Sequence, residues 1–245
     1  TLYTFHGSLK NSSGNSSENS CFQSYFQSSV EIALGYTIVP GVMQDPFLSE
    51  VREWTDAVMD RVEVDPKFRY QGSDVQIMTP ERWSESRERT DRNFPDAFVE
   101  RISELPEAKQ ICRDLGLEGI RSHQNAILLS KPPFGPPLYW HQDHMNWNHP
   151  ESLAPWPLKV FLSYYMTDTT KKNGCLRVLP GTHLKRIPLH DNLPNAHEPE
   201  IQAIEDLDHP AFQDHPDAVD VPVKAGDLVY RGQQDASRGV AESDG

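Results

Sequence analysis

Apolar and polar positions change their period along this chain, and the changes divide it into a helical front and a strand-rich remainder. The run Ala33-Leu-Gly-Tyr-Thr-Ile-Val-Pro-Gly-Val42 has the β-branched, aromatic content of a short strand closed by a Pro-Gly turn. Asp45 then stands as an N-cap with Pro46 at the first helical position. Leu48, Val51, Trp54, Val58 and Val62 follow at helical spacing. Two further helices are expected near 95–105 and 107–115, each opened by a proline, Pro95 and Pro106. From Ile120 the period shortens. Apolar runs at 123–130, 137–142, 158–167, 175–179 and 221–230, broken by Pro and Gly, predict strands. A helical front followed by many short strands is the pattern of an α+β domain whose later part is an all-β roll.

Two stretches fall outside this pattern. Residues 1–28 are rich in Ser, Asn and Gln without a period, and are expected to form a disordered polar leader. Residues 191–220 carry nine acidic residues and no Lys or Arg, with proline scattered through them. They predict a long loop, or an insert with one short helix, acting as a lid or lacking order. The ordered domain is therefore expected over 29–230, with 231–245 as an atypical tail.

Composition narrows the function. The formal net charge of −13 repels phosphate backbones and anionic membranes, which argues against nucleic acid as a partner. No apolar run approaches the ~18 residues of a membrane span. Cys21, Cys112 and Cys175 are odd in number and form no CxxC pair, so neither a zinc site nor a disulfide framework is expected, and a reducing, intracellular compartment fits best.

The candidate chemistry lies in Tyr139-Trp140-His141-Gln142-Asp143. On a strand, residues two apart share a face, so His141 and Asp143 can present an imidazole nitrogen and a carboxylate oxygen to one cation. Those are two members of a 2-His-1-carboxylate facial triad. Such a triad suits Fe(II) and leaves coordination positions open for a bidentate 2-oxo acid and dioxygen. A His-x-Asp pair by itself is a weak signal, because a polar surface strand produces it as well.

Its surroundings make it specific. Lys131-Pro-Pro133 precedes it; Asn173-Gly-Cys-Leu176 and Leu179-Pro-Gly-Thr-His183 follow it. This order, together with Gly35-Tyr-Thr-Ile-Val-Pro-Gly-Val42, resembles the phytanoyl-CoA dioxygenase family from about residue 33 to about residue 230. The resemblance implies a double-stranded β-helix (a cupin-like jelly roll) with flanking helices. It implies Fe(II) with 2-oxoglutarate as co-substrate, and the hydroxylation of a small molecule by dioxygen. It also implies that His141 and Asp143 are the first two iron ligands. Gln142 is placed beside the 2-oxoglutarate site, Lys131 near a co-substrate carboxylate, and His183 in a structural turn.

The same resemblance implies a second histidine on a late strand, about ten residues after Asp227, and beyond it a cation for the distal carboxylate. The segment Arg231-Gly-Gln-Gln-Asp-Ala-Ser-Arg-Gly-Val240 has neither that histidine nor an apolar alternation. The late strands are therefore expected to be incomplete, the family sequence being interrupted near Tyr230. Two alternatives to an active dioxygenase follow: a catalytically inactive remnant or binding module on the same roll, and a cupin-like metalloprotein recruiting another ligand such as Glu151. His190, His197, His209 and His215 in the acidic insert, and Arg231 or Arg238, are the groups that could stand in.

Overall fold

The computed structural model describes residues 2–11, 33–60, 76–78, 100–102, 104–115, 120–131, 135–142, 159–196, 198–232 and 236–239. Six strands form one antiparallel sheet: β1 (Leu2–Asn11), β2 (Tyr36–Val39), β3 (Gln76–Met78), β4 (Ile120–Lys131), β5 (Lys159–Tyr165) and β8 (Leu228–Gly232), in the order β2-β8-β5-β1-β4-β3. A smaller sheet has the order β7-β6-β9, from β6 (Leu176–Leu179), β7 (Val219–Val221) and β9 (Ala236–Gly239).

Strand alternation sorts the large sheet into two faces. Leu128, Val160, Leu162, Tyr164, Leu228 and Tyr230 point to one side. There they pack against helix α1 (Phe47–Met59) through Leu48, Val51 and Val58, and against α2 (Pro106–Asp114) through Ala108, Ile111 and Cys112. Tyr165 and Val229 point to the other side and meet Val178, Val221 and Val223 of the small sheet and its flank. Two facing antiparallel sheets with helices outside the larger one make the jelly roll that the resemblance implied. Among the described residues, no helix is long and apolar enough to cross a membrane.

The helix after Pro46 forms as expected, although Pro46 itself takes the cap position. Asp45 acts one step earlier: its carboxylate accepts from the Ser49 backbone N–H at 3.2 Å and from the Ser49 hydroxyl at 2.5 Å. Val62 and residues 95–99 of the expected helices lie outside the described residues. The run expected as one strand over 221–230 is two strands, because Lys224–Asp227 folds as a turn. Gly226 there adopts φ +90°, and the Asp227 carboxylate accepts from the backbone N–H of Gly41 at 2.8 Å and of Lys224 at 2.7 Å. One buried side chain thus joins the ends of β2 and β8. Asp227→Ala strands two amide donors, and we expect it to cost roughly 2–3 kcal/mol, read as a lower denaturant midpoint with an unchanged slope.

Two expectations are corrected. Residues 2–11, assigned to a disordered leader, form β1 and lie between β4 and β5, antiparallel to both, with His6 in register with Ile127 and Ser163. A central strand satisfies its amides on both sides, so it forms without the strong apolar alternation that the sequence reading required. Residues 12–28 lie outside the described residues. The tail is also not a loss of strand. β8 runs on to Gly232, with Arg231 paired to Tyr36 and Phe161, and Ala236–Gly239 forms β9 against β6. Residues 240–245 lie outside the described residues.

Candidate metal-strand site

Residues 137–142, expected as a strand, form none in the structure; only His141 makes an isolated bridge. The segment is held less by sheet partners than by the acidic insert. The Trp140 N–H donates to the Ala211 carbonyl at 2.8 Å, and the Trp140 indole Nε1–H donates to the Gln213 carbonyl at 2.9 Å. The Tyr139 hydroxyl donates to the Ala196 carbonyl. Both rings are fully buried in a cluster with Leu179, Leu189, Leu193, Ala196, Ile201, Ala211 and Phe212. The insert, expected as a long loop or as an insert with one short helix, acting as a lid or lacking order, is a packed wall with α4 (Pro199–Gln202) inside it and α3 (Pro188–Asn192) leading into it. Its apolar residues are few and irregularly spaced, so their burial on a second segment could not be read from local periodicity. Arg177 on β6 fixes its far end, with its guanidinium 2.7 Å from both Asp214 and Asp220.

His141 is buried, at 4% exposure, and its Nδ1 lies 2.9 Å from the Tyr139 carbonyl oxygen. Donation from Nδ1–H to that carbonyl leaves the lone pair on Nε2, the tautomer a metal ligand requires. Asp143 lies outside the described residues. Among the described residues, no group of three or more His, Cys, Asp or Glu is arranged to hold a metal ion.

Gln142 is buried beside His190, with its amide Nε2 3.3 Å from the ring Nε2. Lys131, at the end of β4, is also buried, and its charge reaches the Cys175 thiol. Burial pushes that thiol up, while Lys131 and Arg177 are among the groups pulling it back. Lys131 closes β4, while Gln142 sits against α3. His183 is buried in the Pro-Gly-Thr-His turn, where the Thr182 hydroxyl donates to the Leu179 carbonyl at 2.8 Å. His209 and His215 each accept a backbone N–H on Nδ1, from Ala211 and Asp217 respectively, at 3.2 Å. His197 and the side chain of Arg238 lie outside what the structure describes.

Two residues gain a place that the sequence reading underrated. Arg231 is buried on β8 with its guanidinium carbon 4.8 Å from the centre of the Phe161 ring, on the same strand face as Val229. The alternation Leu228-Val229-Tyr230-Arg231 is the signal that would have found it. His190 is fully buried, and burial pulls its imidazole below the ordinary value while the Ile187 backbone contact opposes this. The folded state thus favours the neutral ring. Its contribution to stability is full above pH ~6.5 and is lost as the pH falls from there toward the lowered folded value. We expect a melting temperature that drops between pH 7 and pH 5, and a smaller drop in His190→Gln.

The sequence profile described as phytanoyl-CoA dioxygenase (PhyH) matches residues 33–231. The chain belongs to the phytanoyl-CoA dioxygenase family. A probable alpha-ketoglutarate-dependent hypophosphite dioxygenase of Stutzerimonas stutzeri is 30% identical over 102 residues, covering 40% of this chain and 34% of that protein. An ectoine dioxygenase of Nocardia farcinica (strain IFM 10152) is 34% identical over 92 residues, covering 38% and 30%. The chain thus matches about a third of the length of these two curated relatives. The fold of the phytanoyl-CoA dioxygenase family is also seen in the crystal structure of the non-heme alpha ketoglutarate dependent epimerase SnoN. That structure superposes with a TM-score of 0.61 at 17% identity, over 91% of this chain and 77% of SnoN. EctD from S. alaskensis superposes with a TM-score of 0.58 at 15% identity, over 95% and 75%.

Proposed function

We propose that this chain is an Fe(II)/2-oxoglutarate-dependent dioxygenase that hydroxylates a small molecule, with His141 and Asp143 as metal ligands. The observation that carries the reading is the buried imidazole of His141, whose Nδ1–H bond to the Tyr139 carbonyl puts the ring's lone pair on Nε2, the nitrogen that would bind a metal. An imidazole with a carboxylate two residues on along the chain is a donor set of the kind Fe(II) takes in open sites. The metal, when bound with its co-substrate, supplies the activation of dioxygen that drives oxidative decarboxylation of the 2-oxo acid and hydroxylation of a C–H bond.

The chain's own residues position and exclude. Tyr139 and Trp140 seal one side of the segment against water and hold it to the insert through three bonds. Gln142, next to His141 in the chain, has its side chain buried against His190 of α3. Lys131, buried at the end of β4, offers a cation to a carboxylate, and Arg231 on β8 is a second buried cation on the inner side of the roll. Names of relatives favour 2-oxoglutarate as the acid: the hypophosphite dioxygenase and SnoN are each called alpha-ketoglutarate-dependent.

A second reading, a binding module without turnover, is favoured by position 237. β9 forms where the late strand belongs, and its residue ten after Asp227, in register with the inward-facing Val178, is Ser237, not histidine. Anaerobic titration with Fe(II) and 2-oxoglutarate separates the two. The dioxygenase reading expects the weak visible charge-transfer band of the chelate, followed by dioxygen-dependent release of succinate. The band without succinate supports the module, and neither signal leaves the fold without this chemistry.

A further inference from the structure

Strand register puts Arg231 and Tyr165 on one face of the large sheet, the face that meets the small sheet. Arg231 on β8 pairs with Phe161 on β5, and Phe161, Ser163 and Tyr165 alternate to the same side. Val229, two residues before Arg231, packs with Tyr165 against Val178, Val221 and Val223. That face is the interior of the roll. Arg231 and Tyr165 are both buried there, at 5% and 4% exposure.

Both residues offer donors. The Arg231 guanidinium lies over the Phe161 ring, which limits its swing. Burial pushes the Tyr165 hydroxyl up while Arg231 pulls it back, and the phenol keeps its proton at neutral pH. Among the described residues, that hydroxyl has no hydrogen-bond partner. A buried donor without an acceptor is costly, so a ligand that supplies one is favoured. The residue has little freedom to turn away. Its N–H donates to the Asp227 carbonyl at 3.1 Å, and its carbonyl accepts from the Gly226 N–H at 2.8 Å. Four residues along β5 and one strand across, the Cα atoms of Tyr165 and Arg231 stand about 14 Å apart. Two long side chains bridge that separation with one small group between them. A guanidinium and a phenol O–H facing one point are the complement of an oxyanion.

We infer that Arg231 and Tyr165 form an oxyanion site inside the roll, and that the small molecule acted on carries a carboxylate held there. Lys131, the cation proposed for the co-substrate, belongs to a separate place on the same face. It pairs with Leu2, two residues along β1 from Thr4, which pairs with Tyr165. Lys131 is thus six residues along and three strands across from Arg231, roughly 20–25 Å between Cα atoms. A five-carbon diacid spans only about 6 Å, so one held at Lys131 does not reach a guanidinium over Phe161. Assigning the second carboxylate to the substrate rests on the dioxygenase reading. The oxyanion site itself is a property of the metal-free chain.

The test is titration calorimetry of the metal-free full chain with straight-chain monocarboxylates from acetate to octanoate, each beside its primary amide. At least one acid is expected to bind, with its amide weaker by about tenfold or more. Arg231→Gln is expected to weaken the acid about tenfold, and Tyr165→Phe, which keeps the ring, about fivefold; both leave the amide unchanged. Should Arg231→Gln not fold, Arg231→Lys keeps the charge without the planar fork, and a loss of about threefold is expected. Excess 2-oxoglutarate is expected not to displace the acid. No binding by any acid, equal binding of acid and amide, or unchanged binding in folded Arg231 and Tyr165 variants overturns the site. Displacement by 2-oxoglutarate gives the site to the co-substrate and overturns the assignment to the substrate. Acid binding that depends on Arg231, in a chain that shows no chelate band with Fe(II) and 2-oxoglutarate, upholds the site and removes the dioxygenase reading instead.

Discussion

Gly226→Ala is expected to lower the melting temperature by about 6–12 °C, the consequence of a loss of roughly 3 kcal/mol in a chain of this size. Two causes add. Gly226 has φ +90°, a conformation costly for any residue with a Cβ. A Cβ built there would also lie 2.2 Å from the Met43 carbonyl oxygen, which is backbone and cannot swing aside. The surrounding atoms have little freedom to relax. The Met43 N–H donates to the Gly226 carbonyl at 2.9 Å, and the Gly226 N–H donates to the Tyr165 carbonyl at 2.8 Å. Moving either strand end breaks one of these bonds. Differential scanning calorimetry checks the shift, and a variant melting within 2 °C of wild type would count against the steric argument.

His141→Ala is expected to weaken Fe(II) binding in the presence of 2-oxoglutarate by ~100-fold or more, so that the chelate band disappears at metal concentrations that saturate the wild type. The protein should remain folded. What the fold loses is one neutral hydrogen bond to the Tyr139 carbonyl, worth about 1 kcal/mol, and a small void beside Tyr139. Lys131→Ala is the contrasting variant. If its cation faces a co-substrate carboxylate, the 2-oxoglutarate midpoint rises about tenfold while the Fe(II) midpoint without 2-oxoglutarate is unchanged. Isothermal titration of each component separately distinguishes the two, and a His141→Ala chain that still shows the band would remove His141 from the metal site.

Much of the fold was legible because its signals are local. Helix α1 announces itself by Asp45, Pro46 and the spacing of Leu48, Val51 and Val58. β4 and β6 each appear as a run ended by proline, Pro132 and Pro180, and β5 as the apolar run Leu158–Met166. His141 stood out because a two-residue period on a strand puts donors on one face, which is a property of backbone geometry alone. The apolar run 221–230 read as one strand, although the resemblance implies a Gly-Asp turn at Gly226-Asp227 opening the late strand; the turn's stabilising partners, the Gly41 amide and Tyr165, are distant in sequence.

The sequence by itself determined the jelly-roll class and the places of α1, β2, β4, β5 and β6, since each depends on residues near one another along the chain. The tertiary structure alone decided that Leu2–Asn11 fills a central slot of the large sheet, that Ala236–Gly239 pairs with β6, and that Arg231 is buried over Phe161. It also decided that the acidic insert is a wall with His190 against Gln142. Those features arise from pairings across tens to hundreds of residues. A weakly patterned segment becomes ordered there because partners already in place satisfy its amides and cover its few apolar groups, and no local period records that opportunity.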